Sequence, residues 1–416
     1  MAKNCLVGQS GGPTAVINAS LKGVIDTAKK SKKIDKIYGM RYGIQGALNG
    51  NIVDITNKSS QELKLLKYTP SSVLGTSRYK IVDYNENEED YVNLFSLMEK
   101  LDIGYLFYIG GNDSMDTVDK LNKYAQEKGF DIQVMGIPKT VDNDLVEIDH
   151  CPGYGSAAKY IATSVMEIAR DSRVYDIKNV HIVEVMGRAS GWLAAASMLA
   201  SNDKLKTPDY IYVPEVDFSI NKFIEDVEKK MNEQKSVVVV VSEGIKDKHG
   251  NFISADKSTT HDHFGHKKMG GAAPVLGPFI KGNLCDRVKA IRLDVMQRAA
   301  AHCVSKVDAD EAYTLGTKAA KAALAGKTGL MVGFKRVSDS PYEREYIEVP
   351  VEKIANQVKS LPQKWINKDE NQIKKGFKEY ILPLVQGKVN ISYKDGLPEY
   401  AELDCLNKDA LINIQK

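Results

Sequence analysis

Lys139-Thr140-Val141-Asp142-Asn143-Asp144 gathers one cation and two carboxylates into six residues, directly after the apolar run Gln133 to Ile137. A lysine can neutralise a phosphoryl group in transfer, and an aspartate can take a hydroxyl proton or hold a divalent cation; phosphoryl transfer needs these together. The competing reading is that the Asp and Asn side chains merely form Asx-turns. Three more loops carry candidate chemistry. Gln9-Ser10-Gly11-Gly12-Pro13-Thr14 has glycines that let backbone N–H groups approach an anion at the start of the next helix. Gly110-Gly111-Asn112-Asp113-Ser114 has the same form but carries an acid, which would repel the phosphates of a nucleotide. The loop therefore binds no phosphate or rejects a particular one. Glu184-Val185-Met186-Gly187-Arg188-Ala189-Ser190-Gly191-Trp192 offers Arg188, a planar donor fork suited to a phosphate monoester, and Gly187, which permits close backbone approach. Each loop alone reads as an ordinary turn, and a lone loop arginine as a surface ion pair. Glu243, after a valine run, and Arg298, in a basic neighbourhood with Lys289 and Arg292, are further candidates of the same kind.

These loops need strands to hold them. Short aliphatic runs predict strands over Cys5–Val7, Ile34–Tyr38, Tyr105–Ile109, Gln133–Ile137, Val180–Val185, Tyr210–Val213, Ser236–Val241 and Leu330–Phe334. Between them, amphipathic segments predict helices over Val16–Lys29, Glu89–Lys100, Ser114–Lys128, Ser156–Arg170, Trp192–Ser201, Phe223–Gln234 and Asp308–Ala325, the last stopped by Gly326. Such alternation is the signature of an α/β fold with mostly parallel sheets covered by helices on both faces. In open sheets of this kind ligands bind outside the carboxyl ends of strands, where all four loops fall. Cys151-Pro152-Gly153-Tyr154-Gly155 marks a boundary at which a second α/β unit begins.

Composition sets the class. The 416 residues are 43% hydrophobic and 27% charged, with net charge +3 and a pI near 8.3. Lys and Arg are scattered rather than clustered, so no nucleic-acid partner is expected. The aliphatic run Val237–Val241 is far too short to span a bilayer and the N-terminus lacks a signal-peptide core, so no membrane segment is expected. Cys5, Cys151, Cys285, Cys303 and Cys405 show neither a CxxC pair nor a disulfide framework, which points to a reducing, cytoplasmic compartment.

SGGPT, LGTSRYK, GGNDS, PKTVDND, EVMGR and Gln297-Arg298, in this order and at these separations, resemble the phosphofructokinases, and specifically their pyrophosphate-dependent branch, over about residues 4 to 365. The resemblance implies two Rossmann-like three-layer domains with the active site in the cleft between them. A phosphoryl-donor domain of residues 1–155 plus about 297–350, a fructose 6-phosphate domain of about 156–296 plus 351–384, and a C-terminal extension of 385–416 are expected. It implies Mg2+-dependent, reversible transfer of a phosphoryl group from pyrophosphate to the 1-hydroxyl of fructose 6-phosphate, by a homodimer or homotetramer. Carried over by motif, Asp142 is the base. Thr140, Val141, Met186, Gly187, Glu243 and Arg298 resemble sugar-phosphate contacts, with Arg188 also steadying the transferring group. Gly11, Gly12, Arg78, Lys80, Gly111 and Ser114 resemble donor contacts. Asp113 and Lys139 stand where ATP-using relatives have glycine. The acid would fill and repel the place of a nucleotide α-phosphate, and the lysine would place a cation beside the transferring group.

Some positions depart from the family. Asn112 stands where many relatives have a metal-binding Asp, so Mg2+ is assigned to Asn112 and Asp144 with more of the load on Asp144 and the pyrophosphate. Lys289 and Asn179 fall near arginines that, in relatives, reach a neighbouring subunit's substrate. An ATP-dependent phosphofructokinase is the first alternative, separated by initial rates with the two donors. A non-catalytic sugar-phosphate-binding subunit is the second, and Asp142 argues against it. His261-Asp262-His263-Phe264-Gly265-His266 matches no closed zinc pattern and reads as a loop near the substrate. Trp192 and Trp365 read as packing residues.

Overall fold

The computed structural model describes residues 2–77, 79–254 and 270–403. The aliphatic runs form β1 (Lys3–Gln9), β2 (Ile34–Met40), β3 (Ile52–Asp54), β4 (Ile103–Gly110), β5 (Gln133–Pro138), β6 (Asn179–Val185), β7 (Tyr210–Tyr212), β8 (Ser236–Ser242), β9 (Val288–Arg292), β10 (Leu330–Asp339) and β11 (Tyr342–Pro350). Seven of them make one sheet in the order β11-β10-β5-β4-β1-β2-β3. Its five middle strands are parallel, and β11 and β3 close the edges antiparallel. The other four make an all-parallel sheet, β7-β8-β6-β9.

Both sheets are covered on both faces, which is why β4, β6 and β8 are buried from end to end and β4 and the middle of β8 are apolar throughout. Alternate residues face opposite layers: Leu6 and Leu106 meet Tyr91 and Phe95, while Val7 and Phe107 meet Ile17 and Leu315. In the second sheet Val183 and Val240 meet Ile161 and Trp192, while Ile182 and Val239 meet Phe223 and Leu276. Each such side chain contributes about 1.5–3 kcal/mol when fully buried. Helices Ile17–Lys29 and Lys306–Leu324 approach through glycines. A Cβ on Gly23 would lie 2.2 Å from the Tyr313 carbonyl oxygen and one on Gly316 2.0 Å from that of Ser20, so alanine at either position forces the helices apart.

The helix expected over 192–201 is a short α-helix, Trp192–Ala196, followed by a 3-10 turn, Ser197–Ala200. Helix Ala272–Asn283 was not among the expected helices, and it carries Pro274 in its first turn and Pro278 in its interior. It holds because Ala272, Leu276 and Ile280 are buried in the second sheet's core. Strands β9 and β11 also escaped notice, since Lys289, Arg292 and the alternating charges of Tyr342–Pro350 give no apolar run. Trp192 and Trp365 pack edge to face at 5.8 Å beside Phe377 and Tyr380, as packing residues should. The described part of the C-terminal stretch buries Val389, Ala401 and Leu403 against the first sheet's layers. No described helix is long and apolar enough to cross a membrane.

Candidate active site

All the candidate loops leave carboxyl ends of parallel strands. In the first sheet Gln9 pairs with Ile109 and Gly110 with Pro138, so the SGGPT, GGNDS and PKTVDND loops start level with one another. Backbone bonds extend that register by one step, Ser10 N–H to Ile109 O and Lys139 N–H to Gly110 O, both at 2.9 Å. In the second sheet Val185 pairs with Ser242 and Glu184 with Arg292, which brings Met186, Glu243 and Asp294 level.

Lys139 turns back over the first loop. Its Nζ donates to the Gly12 carbonyl at 2.5 Å and would lie 3.2 Å from a Cβ on Gly11, whose φ is +73°. Arg298, from the helix Met296–Ala299, reaches the same place: its guanidinium nitrogen would lie 2.9 Å from a Cβ on Gly12. Any side chain at either glycine would displace a cation. Burial, then the positive charge of Arg298, pulls the Lys139 pKa down to about 8, opposed by Asp142 and Asp144. Those two carboxyls are raised, foremost by burial; for Asp142 the neighbouring charges of Asp144 and Glu243 add to it, and Lys139 and Arg298 resist. Asp142 Oδ1 is buried without a hydrogen-bond partner.

The loop that holds these charges is rigidly tied. Thr140 Oγ1 accepts from the Asp142 N–H at 3.1 Å, Ser190 Oγ donates to the Asp142 carbonyl, and Thr140 pairs with Gly153 in an isolated bridge. Asn143, at φ +54°, donates to Tyr380 Oη and accepts from the Cys151 N–H. On the opposite side Gly187 N–H reaches Glu243 Oε1 at 3.4 Å, Ser242 Oγ donates to Gly187 O at 2.6 Å, and Gln297 Oε1 accepts from Met186 N–H at 3.1 Å. Burial raises the Glu243 carboxyl while nearby Arg188 lowers it. Three cations, three carboxylates and two glycine-lined backbone approaches thus converge from both sheets.

A phosphofructokinase family model matches residues 4–323. The chain belongs to the phosphofructokinase family. It is 40% identical over 405 residues to the pyrophosphate--fructose 6-phosphate 1-phosphotransferase of Methylococcus capsulatus, covering 97% of this chain and 96% of that one. The protein of the same name from Halomonas elongata is 39% identical, with 96% of each chain covered. The crystal structure of pyrophosphate-dependent phosphofructokinase from Nitrosospira multiformis superposes with a TM-score of 0.88 at 39% identity, covering 97% of this chain and 96% of that one. The two-sheet α/β architecture is therefore that of the phosphofructokinase fold.

Within this family fold, not every expected site residue is brought together. Asp113 is exposed in the first turn of helix Asn112–Lys128, while Ser114 is buried behind it. The Val141 side chain is buried among Tyr154 and Ala157, leaving only its backbone for a ligand. Lys80 is exposed, and Arg78 lies outside the described residues, as does the His261–His266 segment. Lys289 pairs in register with His181, three residues before the strand end, and its Nζ lies 3.4 Å from Asp171, apart from Met186–Arg188. Asn179, also at that far end, is buried and donates to Ser172 O and Ile177 O. Asn112 does not face the carboxylates: its Oδ1 accepts from Asn356 N–H at 2.8 Å and its Nδ2 donates to Gln357 O.

The sequence reading missed two supports. His150 sits between Asp149 Oδ2 at 2.7 Å and Glu311 Oε2 at 2.6 Å, with Arg336 bound to Asp149 and Arg344 and Tyr342 to Glu311. Glu215 Oε1 accepts from both Gly191 N–H and Leu361 N–H. The adjacent pair Asp149-His150 was the only sequence signal for the first; a lone glutamate after β7 gave none for the second.

Proposed function

We propose that the chain transfers a phosphoryl group from pyrophosphate to the 1-hydroxyl of fructose 6-phosphate, reversibly, giving fructose 1,6-bisphosphate and phosphate. The observation that carries this reading is the pairing of buried Lys139 over Gly11 and Gly12 with Asp113 at the neighbouring loop. Near full-length identity to proteins named for this reaction supports it. Asp142, desolvated and with one oxygen lacking a partner, accepts the hydroxyl proton as the sugar oxygen bonds to phosphorus and the bridging P–O bond breaks. Lys139 and Arg188 stabilise charge on the transferring group and on departing phosphate. Met186, Gly187, Glu243 and Arg298 hold the sugar phosphate, with Thr140 beside the base, and Gly11, Gly12, Gly111 and Ser114 receive the pyrophosphate.

Among the described residues no group of three or more His, Cys, Asp and Glu is arranged to hold a metal ion. Mg2+ nevertheless fits the donor set, because it is usually held by one or two carboxylates together with substrate phosphates. Asp144 would hold it with the pyrophosphate oxygens, and the ion's chemistry is to neutralise phosphate charge. On this reading the first sheet belongs to the donor domain and the second to the sugar domain. A homodimer or homotetramer, in which Lys289 serves a neighbouring subunit, and a cytoplasmic location complete the reading; free Cys5, Cys151, Cys285 and Cys303 agree with the latter.

Initial rates of purified protein with fructose 6-phosphate and Mg2+, using pyrophosphate or ATP, test this directly. Pyrophosphate should be the faster donor, and phosphate plus fructose 1,6-bisphosphate should run the reaction backward. Faster turnover with ATP would overturn the donor assignment.

A further inference from the structure

Residues 356–361 cross behind three of the site loops. Asn356, at φ +60°, gives its backbone N–H to Asn112 Oδ1 at 2.8 Å and its side-chain Nδ2 to Asp116 Oδ1 at 3.0 Å, while Gln357 O receives Asn112 Nδ2. Three residues on, Lys359 N–H donates to Asp144 O at 2.7 Å, and its Nζ to Ile148 O and Asp149 O at 3.0 and 2.9 Å. Trp192 Nε1 donates to Lys359 O at 3.0 Å, and Leu361 N–H shares Glu215 Oε1 with Gly191 N–H. One short segment is therefore bonded to the donor-loop helix, to the carboxylate loop and to the helix that follows Arg188.

At the first of these attachments the carboxamide of Asn112 is used at both ends. An oxygen accepts and a nitrogen donates, which neither a carboxylate nor an aliphatic side chain can do there. A carboxylate would keep the bond from Asn356 but would set a second oxygen against Gln357 O, leaving that carbonyl with an acceptor for a neighbour. Turning the amide oxygen toward a cation would break the Asn356 bond.

We propose that Asn112 is a positioning residue that latches the 356–361 strap to the donor-loop helix, and that it is not a metal ligand. The carboxamide at position 112 then acts as a tether, and the strap sets the spacing between the donor and sugar loops. This rests on the pyrophosphate reading only for its kinetic arm.

Hydrogen exchange of the full chain in EDTA, without substrate, tests the latch independently of activity. Asn112→Asp and Asn112→Ala should each speed exchange across 356–361 by about tenfold or more while leaving β4 and β6 protected. In kinetics, Asn112→Asp should raise the KM for pyrophosphate with little change in kcat, and should not lower the half-saturating Mg2+ concentration. Unchanged exchange in Asn112→Ala, or tighter Mg2+ dependence in Asn112→Asp, would overturn the proposal. Asn112→Ala, which adds no charge, carries the exchange test if the aspartate variant does not fold. A chain inactive with pyrophosphate but with accelerated strap exchange would refute the proposed reaction and leave the latch standing.

Discussion

The loops that follow β4 and β5 begin at paired residues, Gly110 and Pro138, yet they treat charge in opposite ways. After β5, Lys139 is 2% exposed and the Asp142 and Asp144 carboxyls are desolvated beside it. After β4, Asp113 stands in solvent at the start of a helix. Buried charges interact strongly and are costly to leave unpaired, so the β5 loop must be held by many bonds and tolerates little change. An exposed charge acts through the space it occupies and a screened field, so the β4 loop can change its selectivity at small cost to the fold. Under the proposed function, the two neighbours would divide the labour into doing the chemistry and choosing the donor.

The sharpest way to break that contrast is at the base. Asp142→Asn keeps the size of the side chain and removes the proton acceptor, so turnover should fall by about 10²–10⁴-fold; because burial already disfavours the Asp142 charge, the melting temperature should not fall. Near-normal kcat would remove Asp142 from its role and the β5 loop from the chemistry. Next in size is Lys139→Met, which keeps a long apolar stem in the same buried place. Turnover with pyrophosphate should fall by about 10²–10³-fold, as for loss of one charge-stabilising donor. Because Asp142 and Asp144 lose a compensating cation, thermal stability should fall as well, a cost that no substitution at Asp113 should match.

The β5 loop is buttressed by His150, and this gives a pH dependence. Burial disfavours its charge, but Glu311 and Asp149 outweigh burial and raise its pKa to about 9; the Asp149 carboxyl, opposed by burial, is held near 2 by His150 and Arg336. Lys359, Tyr342, Tyr380 and Arg344 also face this network. The raised histidine contributes stability that is complete below its unfolded value near 6.5 and is lost as pH rises toward 9. The lowered aspartate contributes stability present above about 3.9 and lost as pH falls toward 2. The denaturant midpoint should therefore decline above pH 7, and His150→Gln should flatten that decline. An equally steep decline in the variant would show that other groups set it.

How much of this was legible depended on where the information lay. The alternation of strands and helices, and the loops at strand ends, could be read because burial on both faces gives β4, β6 and β8 mostly apolar runs, and glycines and acids mark their ends. The Lys139–Asp142–Asp144 group is contiguous in sequence, so its chemistry was visible as a motif. The supports were not. Glu311 lies 161 residues from His150, and Gln357 lies 245 from Asn112, and neither pair leaves a local pattern. Helix Ala272–Asn283 shows the same limit for structure, since its prolines speak locally and its buried face only in the folded core. Asn112 was assigned to metal from a motif position, whereas its partners come from a segment the motif does not contain.

The smallest expected effect is also the one that separates two physical accounts of Asp113. An acid in the first turn of a helix is favourable by about 0.3–1 kcal/mol in its own right, so the residue could be there for the helix rather than for the donor. Asp113→Asn keeps nearly the same volume and removes the charge; Asp113→Gly removes both and adds the helix penalty of glycine, about 1 kcal/mol. Both should lower the melting temperature slightly, glycine the more. If charge repels a nucleotide's α-phosphate, both variants should gain ATP turnover; if volume excludes it, only the glycine variant should. In each case pyrophosphate turnover should change by no more than about tenfold, because Lys139 and Asp142 are untouched. ATP turnover absent from both variants, alongside the same small loss of stability, would assign Asp113 to the helix and leave donor choice to Lys139 alone.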